Sequence, residues 1–135
     1  MNPRPPRNLR VTAETAGPLT KHVLVDSSAV VTDVGERDLR GPSGVVVAFV
    51  SQDMNANLAV LDAGDDIPAH RNLEVDVLIV TVSGHATLVV DGTVHTLAAD
   101  VVAVVPRGCE RSISAKSRLV FYTVHVRRPG GATAG

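Results

Sequence analysis

Aromatic residues are scarce in this chain of 135 residues, which has no tryptophan, one tyrosine and two phenylalanines. Aliphatic side chains must therefore fill its interior, and the 25 valines are the most numerous of them. This composition favours strands over helices. The length is that of one domain, which buries an adequate core without disulfides or a structural metal. A multidomain machine is excluded.

Cysteine pairs, long apolar runs and a large net charge are also missing. The single Cys109 excludes an internal disulfide and fits a reducing compartment. The formal charge of -1 leaves no basic surplus for nucleic acid. No apolar stretch reaches the roughly 18 residues of a membrane span, and the Pro- and Arg-rich start has no apolar signal-peptide core. We expect a cytoplasmic protein with no nucleic-acid and no membrane partner.

Turn residues separate short apolar runs along most of the chain, which predicts many short strands. Asp91-Gly92 lies between two such runs and predicts a type I′ hairpin. We expect a flexible N-terminal arm at 1–17, one β domain at 18–128 and a disordered tail at 129–135. The strand rhythm indicates an all-β antiparallel sandwich or barrel, and composition does not choose between the two.

Two runs, residues 77–82 and 101–105, are apolar along nearly their whole length, whereas a strand with one solvated face should alternate. Both of their faces are expected to be covered by a second sheet or by another subunit. The sequence therefore predicts a homodimer.

The richest cluster of polar residues follows Pro68. If the chain is extended from His70 onward, His70, Asn72, Glu74 and Asp76 share one face of a strand. Such a face is costly to bury unless its groups pair, bind a ligand or line a solvated cavity. It is therefore the predicted functional site.

The same stretch resembles the first cupin motif, G-x5-H-x-H-x3/4-E-x6-G, and residues 99–111 resemble the second. The resemblance covers residues 58–126 and implies an antiparallel double-stranded β-helix, the jelly-roll or cupin barrel. In the first motif Asn72 stands where the second His belongs, and in the second motif Arg111 stands where the third His belongs. The matching positions are Gly64, His70, Asp76, Gly84, Asp100, Pro106 and Gly108.

The motif substitutions argue against a metal cofactor. A cupin metal is held by three His and one carboxylate, and the motifs here supply only His70 and Asp76 of that type. Arg111 is a permanent cation that cannot ligate a metal ion. We therefore expect no cofactor, and the metal ligands of any divalent site are unknown.

The resemblance leaves other chemistry for these residues. Arg111 beside Asp76 is expected to hold the carboxylate ionised or to clamp a substrate carboxylate or enolate, with His70 as the proton carrier. The expected catalytic residues are thus His70, Asp76 and Arg111, and the alternative is a structural ion pair between Arg111 and Asp76. Asn72 and Glu74 are expected to bind substrate.

Either face of the last strand can point inward. With one choice His125 joins the cavity, and with the other Tyr122 is the inward polar group, so both are candidate substrate-binding residues. Cys109 lies near Arg107 and Arg111, cations that would favour its thiolate, but no base is visible beside it, so we expect a free, mildly reactive thiol.

Three functions remain at this point. The first is a metal-independent isomerase, cyclase or lyase acting on a small carbonyl-bearing or polyketide-like substrate. The second is a non-catalytic ligand-binding cupin, and the third is a metal-dependent cupin enzyme, a dioxygenase or isomerase, with a non-standard ligand set.

Overall fold

The computed structural model describes residues 25–32 and 44–126. The predicted arm at 1–17 and the predicted tail at 129–135 lie outside the described residues. Among the described residues, no helix is long and apolar enough to cross a membrane. The elements are α1 (Ser27–Thr32), β1 (Val45–Val50), β2 (Met54–Leu61), β3 (Asp66–Arg71), β4 (Val77–Ser83), β5 (His85–Val90), β6 (Thr93–Ala98), β7 (Val102–Val105), β8 (Glu110–Ala115) and β9 (Leu119–Val126).

These strands form two sheets, one of five strands in the order β1-β2-β9-β4-β7 and one of four in the order β3-β8-β5-β6. Neighbouring strands within each sheet are antiparallel. The main core joins inward side chains of both sheets, among them Ile79 and Phe121 from the first and Leu88 and Ile113 from the second. The predicted all-β jelly-roll, or double-stranded β-helix, is confirmed.

The predicted hairpin at Asp91-Gly92 is also confirmed. Val90 pairs with Thr93 across the turn. Asp91 and Gly92 have φ values of 47° and 82°, as a type I′ turn requires at both central residues. Local turn chemistry therefore sets the register of β5 against β6.

Helix α1 lies against the outer face of the five-stranded sheet. Asp26 caps it, because its Oδ1 accepts the backbone N–H of Ser28 at 3.0 Å. Val31 of this helix packs with Leu58 and Val120, which point away from the main core. The helix thus covers part of an apolar outer surface.

The outer face of β7 and the adjoining part of β4 around Leu78 are largely exposed among the described residues. Leu78, Val102 and Val104 are 39%, 57% and 56% exposed, whereas Val77, Ile79 and Val105 on the inner face are buried in the core. The second sheet therefore covers one face of these strands. The predicted homodimer, which would cover the other face, stays a prediction.

Candidate functional site

An elongated cavity of about 190 Å³ opens between the two sheets. Most of its wall is aliphatic or aromatic, and four polar side chains interrupt that wall. Ile67, His70 and Thr123 are partly exposed and mark the side where solvent enters. The lining residues are Val45, Asn57, Ala59, Ile67, His70, Ile79, Arg111, Ile113, Phe121 and Thr123.

The four-stranded sheet contributes His70 and Arg111, two of the predicted catalytic residues. They are paired directly across β3 and β8, and both line the cavity. Arg111 is only 4% exposed, so its guanidinium is a buried positive charge. The structure brings the two residues together on one wall.

The five-stranded sheet contributes Asn57 and Thr123, which the sequence analysis missed. They are paired across β2 and β9, and Asn57 Nδ2 donates to Thr123 Oγ1 at 3.4 Å. The available signal was the alternation of Asn55 and Asn57 in an otherwise apolar strand, because asparagine is depleted from strands. Polar residues at period two share one face, and here that face is the inner one.

The ring of His70 is oriented by its own strand. Its Nδ1 lies 2.9 Å from the carbonyl oxygen of Pro68. Because a carbonyl only accepts, Nδ1 carries the hydrogen, and Nε2 is the basic nitrogen of the neutral ring. The imidazole is therefore held in the tautomer that accepts a proton at Nε2.

The predicted extended face from His70 to Asp76 is wrong beyond Arg71, where β3 ends. The side chain of Asn72 turns the backbone instead: its Oδ1 accepts the N–H groups of Glu74 at 3.0 Å and Val75 at 3.3 Å. Asparagine often bonds its own backbone two residues ahead in this way. Asn72 is buried in that turn and Glu74 is exposed. Neither lines the cavity.

Asp76 also lies outside the cavity. Its side chain is exposed, and Oδ1 accepts the backbone N–H of Arg107 at 2.8 Å. This carboxylate therefore holds the 106–108 turn against the loop that precedes β4. The expected pairing of Asp76 with Arg111 inside the cavity is wrong, because the Asn72 turn redirects the chain before Asp76 is reached.

The last strand points Phe121, Thr123 and His125 inward. His125 is 4% exposed, its Nδ1 donates to the carbonyl oxygen of Val126 at 2.7 Å, and it pairs across the sheet with Asn55. It is buried on the face that lines the cavity but is not itself among the lining residues. Tyr122 lies on the opposite face, against the cluster covered by α1. Tyr122 is therefore not a cavity residue.

Cys109 differs from expectation as well. Its thiol donates to the carboxylate of Asp91, and this bond, followed by burial, raises the pKa of the thiol above its ordinary value. The pKa of Asp91 is lowered, mainly because Asp91 accepts the backbone N–H of Glu110 and further because it accepts the thiol. Cys109 is a free thiol, as expected, but the expected influence of Arg107 and Arg111 toward the thiolate is wrong, since the acidic neighbour Asp91 dominates the surroundings of the thiol.

The residues at the cupin motif positions do not fit a divalent metal. Asn72 Oδ1 is committed to two backbone N–H groups, Asp76 faces away from the cavity, and Arg111 is a cation. Within residues 25–32 and 44–126, no three His, Cys, Asp or Glu side chains form a group able to hold a metal ion. The polar groups that line the cavity are an imidazole, a guanidinium, an amide and a hydroxyl.

Comparison with known proteins identifies the fold. No protein-family model matches the chain, and no curated protein sequence matches it. Among solved structures it is similar to a cupin-2 domain protein from Shewanella frigidimarina, with TM-score 0.60 and 15% identity over 77% of this chain and 95% of that one. It is also similar to a cupin protein from Bacteroides fragilis, with TM-score 0.54 and 22% identity over 63% and 74% of the two chains. For the Cnp3 cupin domain of Schizosaccharomyces pombe the TM-score is 0.55 and the identity 22%, over 58% and 61%. The chain therefore has the fold of the cupin superfamily, as its sequence motifs predicted.

Proposed function

We propose that this cupin binds a small organic anion, a carboxylate or an enolate, in the cavity between its sheets. One observation carries the proposal: Arg111 and His70 are paired on neighbouring strands and line the same mostly apolar cavity. A guanidinium offers a planar fork of donors that matches a carboxylate in two parallel hydrogen bonds. An apolar wall with a few convergent polar groups is the usual form of a small-molecule site.

Electrostatics supports an anionic ligand over a neutral or cationic one. None of the described residues lining the cavity is Asp or Glu, whereas Arg111 in the same lining is a permanent cation. A charge in a buried, low-dielectric setting interacts more strongly than the same charge in water. A ligand carboxylate at Arg111 gains this interaction, whereas an ammonium is repelled.

We further propose that the protein is a metal-independent enzyme of the isomerase or lyase type. His70 Nε2 is the basic nitrogen and removes a proton from the carbon beside a ligand carbonyl. The electron pair of the broken C–H bond moves to the carbonyl oxygen, and Arg111 stabilises the resulting enolate. Return of the proton from Nε2 to a different atom completes an isomerisation.

One experiment tests binding and proton transfer together. The probe is 2-oxobutanoate, a small acid with exchangeable hydrogens beside its carbonyl, observed by NMR in deuterated buffer. We expect saturable binding to the wild-type protein and deuterium incorporation faster than in buffer alone. Arg111→Gln should weaken binding about tenfold or more, because a charge-assisted hydrogen bond is lost. His70→Gln should retain binding and lose the accelerated exchange.

Arg107→Gln is the matched control, since Arg107 is an exposed arginine four residues from Arg111 and outside the cavity. It should change neither readout. Absence of saturable binding, or equal binding by wild type and Arg111→Gln, would contradict the anion site. Binding without accelerated exchange would contradict the enzyme and leave a ligand-binding cupin.

A further inference from the structure

Polar and apolar side chains alternate as matched pairs on both walls of the cavity. On the four-stranded wall the pair His70 and Arg111 is polar, and the next lining pair, Ile67 and Ile113, is apolar. On the five-stranded wall the polar pair is Asn57 and Thr123, and the next pair is Ala59 and Phe121. Each sheet thus supplies one polar and one apolar pair to a single cavity.

The second polar pair differs in chemistry from the first. Asn57 is 2% exposed, and its side chain is an uncharged amide. Thr123 Oγ1 accepts a hydrogen bond from Asn57 Nδ2, and the hydroxyl keeps its own hydrogen to donate. The pair brings no positive charge and therefore suits an uncharged oxygen, such as a hydroxyl or a carbonyl.

Placing hydrocarbon against this pair is unfavourable. A ligand that presents only hydrocarbon to Thr123 gives the hydrogen of that hydroxyl no acceptor, which costs free energy, so the site selects against ligands that lack the matching oxygen.

Building on the proposed function, we infer that the ligand is a short aliphatic acid that also carries a hydroxyl or carbonyl group. Its carboxylate lies at Arg111, its neutral oxygen at the pair of Asn57 and Thr123, and its hydrocarbon against Ile113 and Phe121. A cavity of about 190 Å³ holds on the order of six to eight non-hydrogen atoms. This is the size of a hydroxy or oxo acid of four to five carbons.

The test compares butanoate with 2-, 3- and 4-hydroxybutanoate by calorimetric or NMR titration. In the wild-type protein at least one hydroxy acid should bind about five- to tenfold more tightly than butanoate, the effect of one well-placed hydrogen bond. Thr123→Val, which removes the hydroxyl and keeps the shape, should abolish this advantage and leave the affinity for butanoate within about twofold. Asn57→Leu should act in the same way.

Thr87→Val is the control, because Thr87 is a half-buried threonine of β5 that does not line the cavity, and it should retain the advantage. Thr123→Val decides the question even where Asn57→Leu fails to fold. Equal affinities for butanoate and every hydroxy acid, or an advantage that survives in Thr123→Val, overturn this inference alone. Failure of all the acids to bind overturns the proposed function and this inference with it.

Discussion

The thiol of Cys109 and the carboxylate of Asp91 come from two different turns. Asp91 belongs to the hairpin between β5 and β6, and Cys109 immediately precedes β8. The carboxylate accepts one hydrogen bond from the thiol and another from the backbone N–H of Glu110, at 2.8 Å. The hydrogen bond to Asp91, followed by burial and then by the repulsion between the carboxylate and a thiolate, raises the pKa of Cys109.

We predict that Asp91→Asn speeds the alkylation of Cys109. Only the thiolate reacts, and a thiol whose pKa lies above its ordinary value has less thiolate at any pH below that pKa. Replacing the carboxylate by an amide removes the repulsion, so the pH–rate curve should move to lower pH. At pH 7.5 the rate with iodoacetamide should rise roughly threefold or more.

Asn is well suited to the type I′ turn, so Asp91→Asn should leave the hairpin folded. Asp100→Asn is the matched control, because Asp100 is also an exposed aspartate with positive φ, at 71°, in another turn. Equal alkylation rates in wild type and Asp91→Asn would show that the carboxylate does not control the thiol.

Two glycines with similar backbone conformations have different surroundings. Gly84, between β4 and β5, has φ of 91°, and a Cβ there would lie 2.0 Å from the carbonyl oxygen of Arg118. Gly92, in the hairpin turn, has φ of 82°, and a Cβ there would meet no atom within 4 Å. Both positions favour glycine by conformation, but of the two only Gly84 is closely approached by other backbone, that of Arg118 just before β9.

We therefore predict unequal costs for two alanine substitutions. Gly92→Ala should lower the free energy of unfolding by about 1–2 kcal/mol, the cost of the left-handed conformation. Gly84→Ala should lower it by about 3–5 kcal/mol, because the β4–β5 turn must also move away from Arg118. Urea denaturation followed by circular dichroism measures both values. Equal losses would contradict the steric role assigned to Gly84.

Elements whose signal is local could be predicted from the sequence. The Asp91-Gly92 turn imposes its own backbone geometry, so both its position and its type were predictable. The prediction that the strand continues from His70 to Asp76 was wrong, and the reason is also local. The side chain of Asn72 accepts hydrogen bonds from backbone N–H groups that a continuing strand would have given to a neighbouring strand. Alternation alone does not reveal that competition.

The candidate site was only partly predictable. His70 and Arg111 stand at motif positions, and the resemblance placed both in the cavity. Asn57 and Thr123 lie far apart in the sequence and meet only because β2 pairs with β9. That they line the same cavity as the first pair depends on the packing of two sheets, which no local pattern specifies.

The outer face of the five-stranded sheet is apolar from edge to edge. Toward β2 it is covered by α1, through Val31 packed on Leu58 and Val120. Toward β7 it is exposed, with Leu78 paired beside Val104 and Val80 beside Val102. Exposed apolar patches of this kind mark interaction sites, and an exposed edge strand such as β7 adds unpaired backbone groups.

We predict that two copies of the chain associate through this exposed patch. A symmetric dimer uses the same surface on both copies, so a single substitution places one charge from each copy in the interface. Val104→Lys should therefore convert a dimer into a monomer, measured by light scattering coupled to size-exclusion chromatography over a range of concentrations. Unfolding by heat should remain cooperative in the variant.

Val94→Lys is the matched control, because Val94 is 67% exposed and lies on β6 of the other sheet. It should leave the dimer intact, since a lysine there remains in solvent. A wild-type protein that is monomeric at every concentration would contradict the prediction. A dimer that survives Val104→Lys would locate the interface elsewhere, and the apolar face of β4 and β7 would then need another explanation.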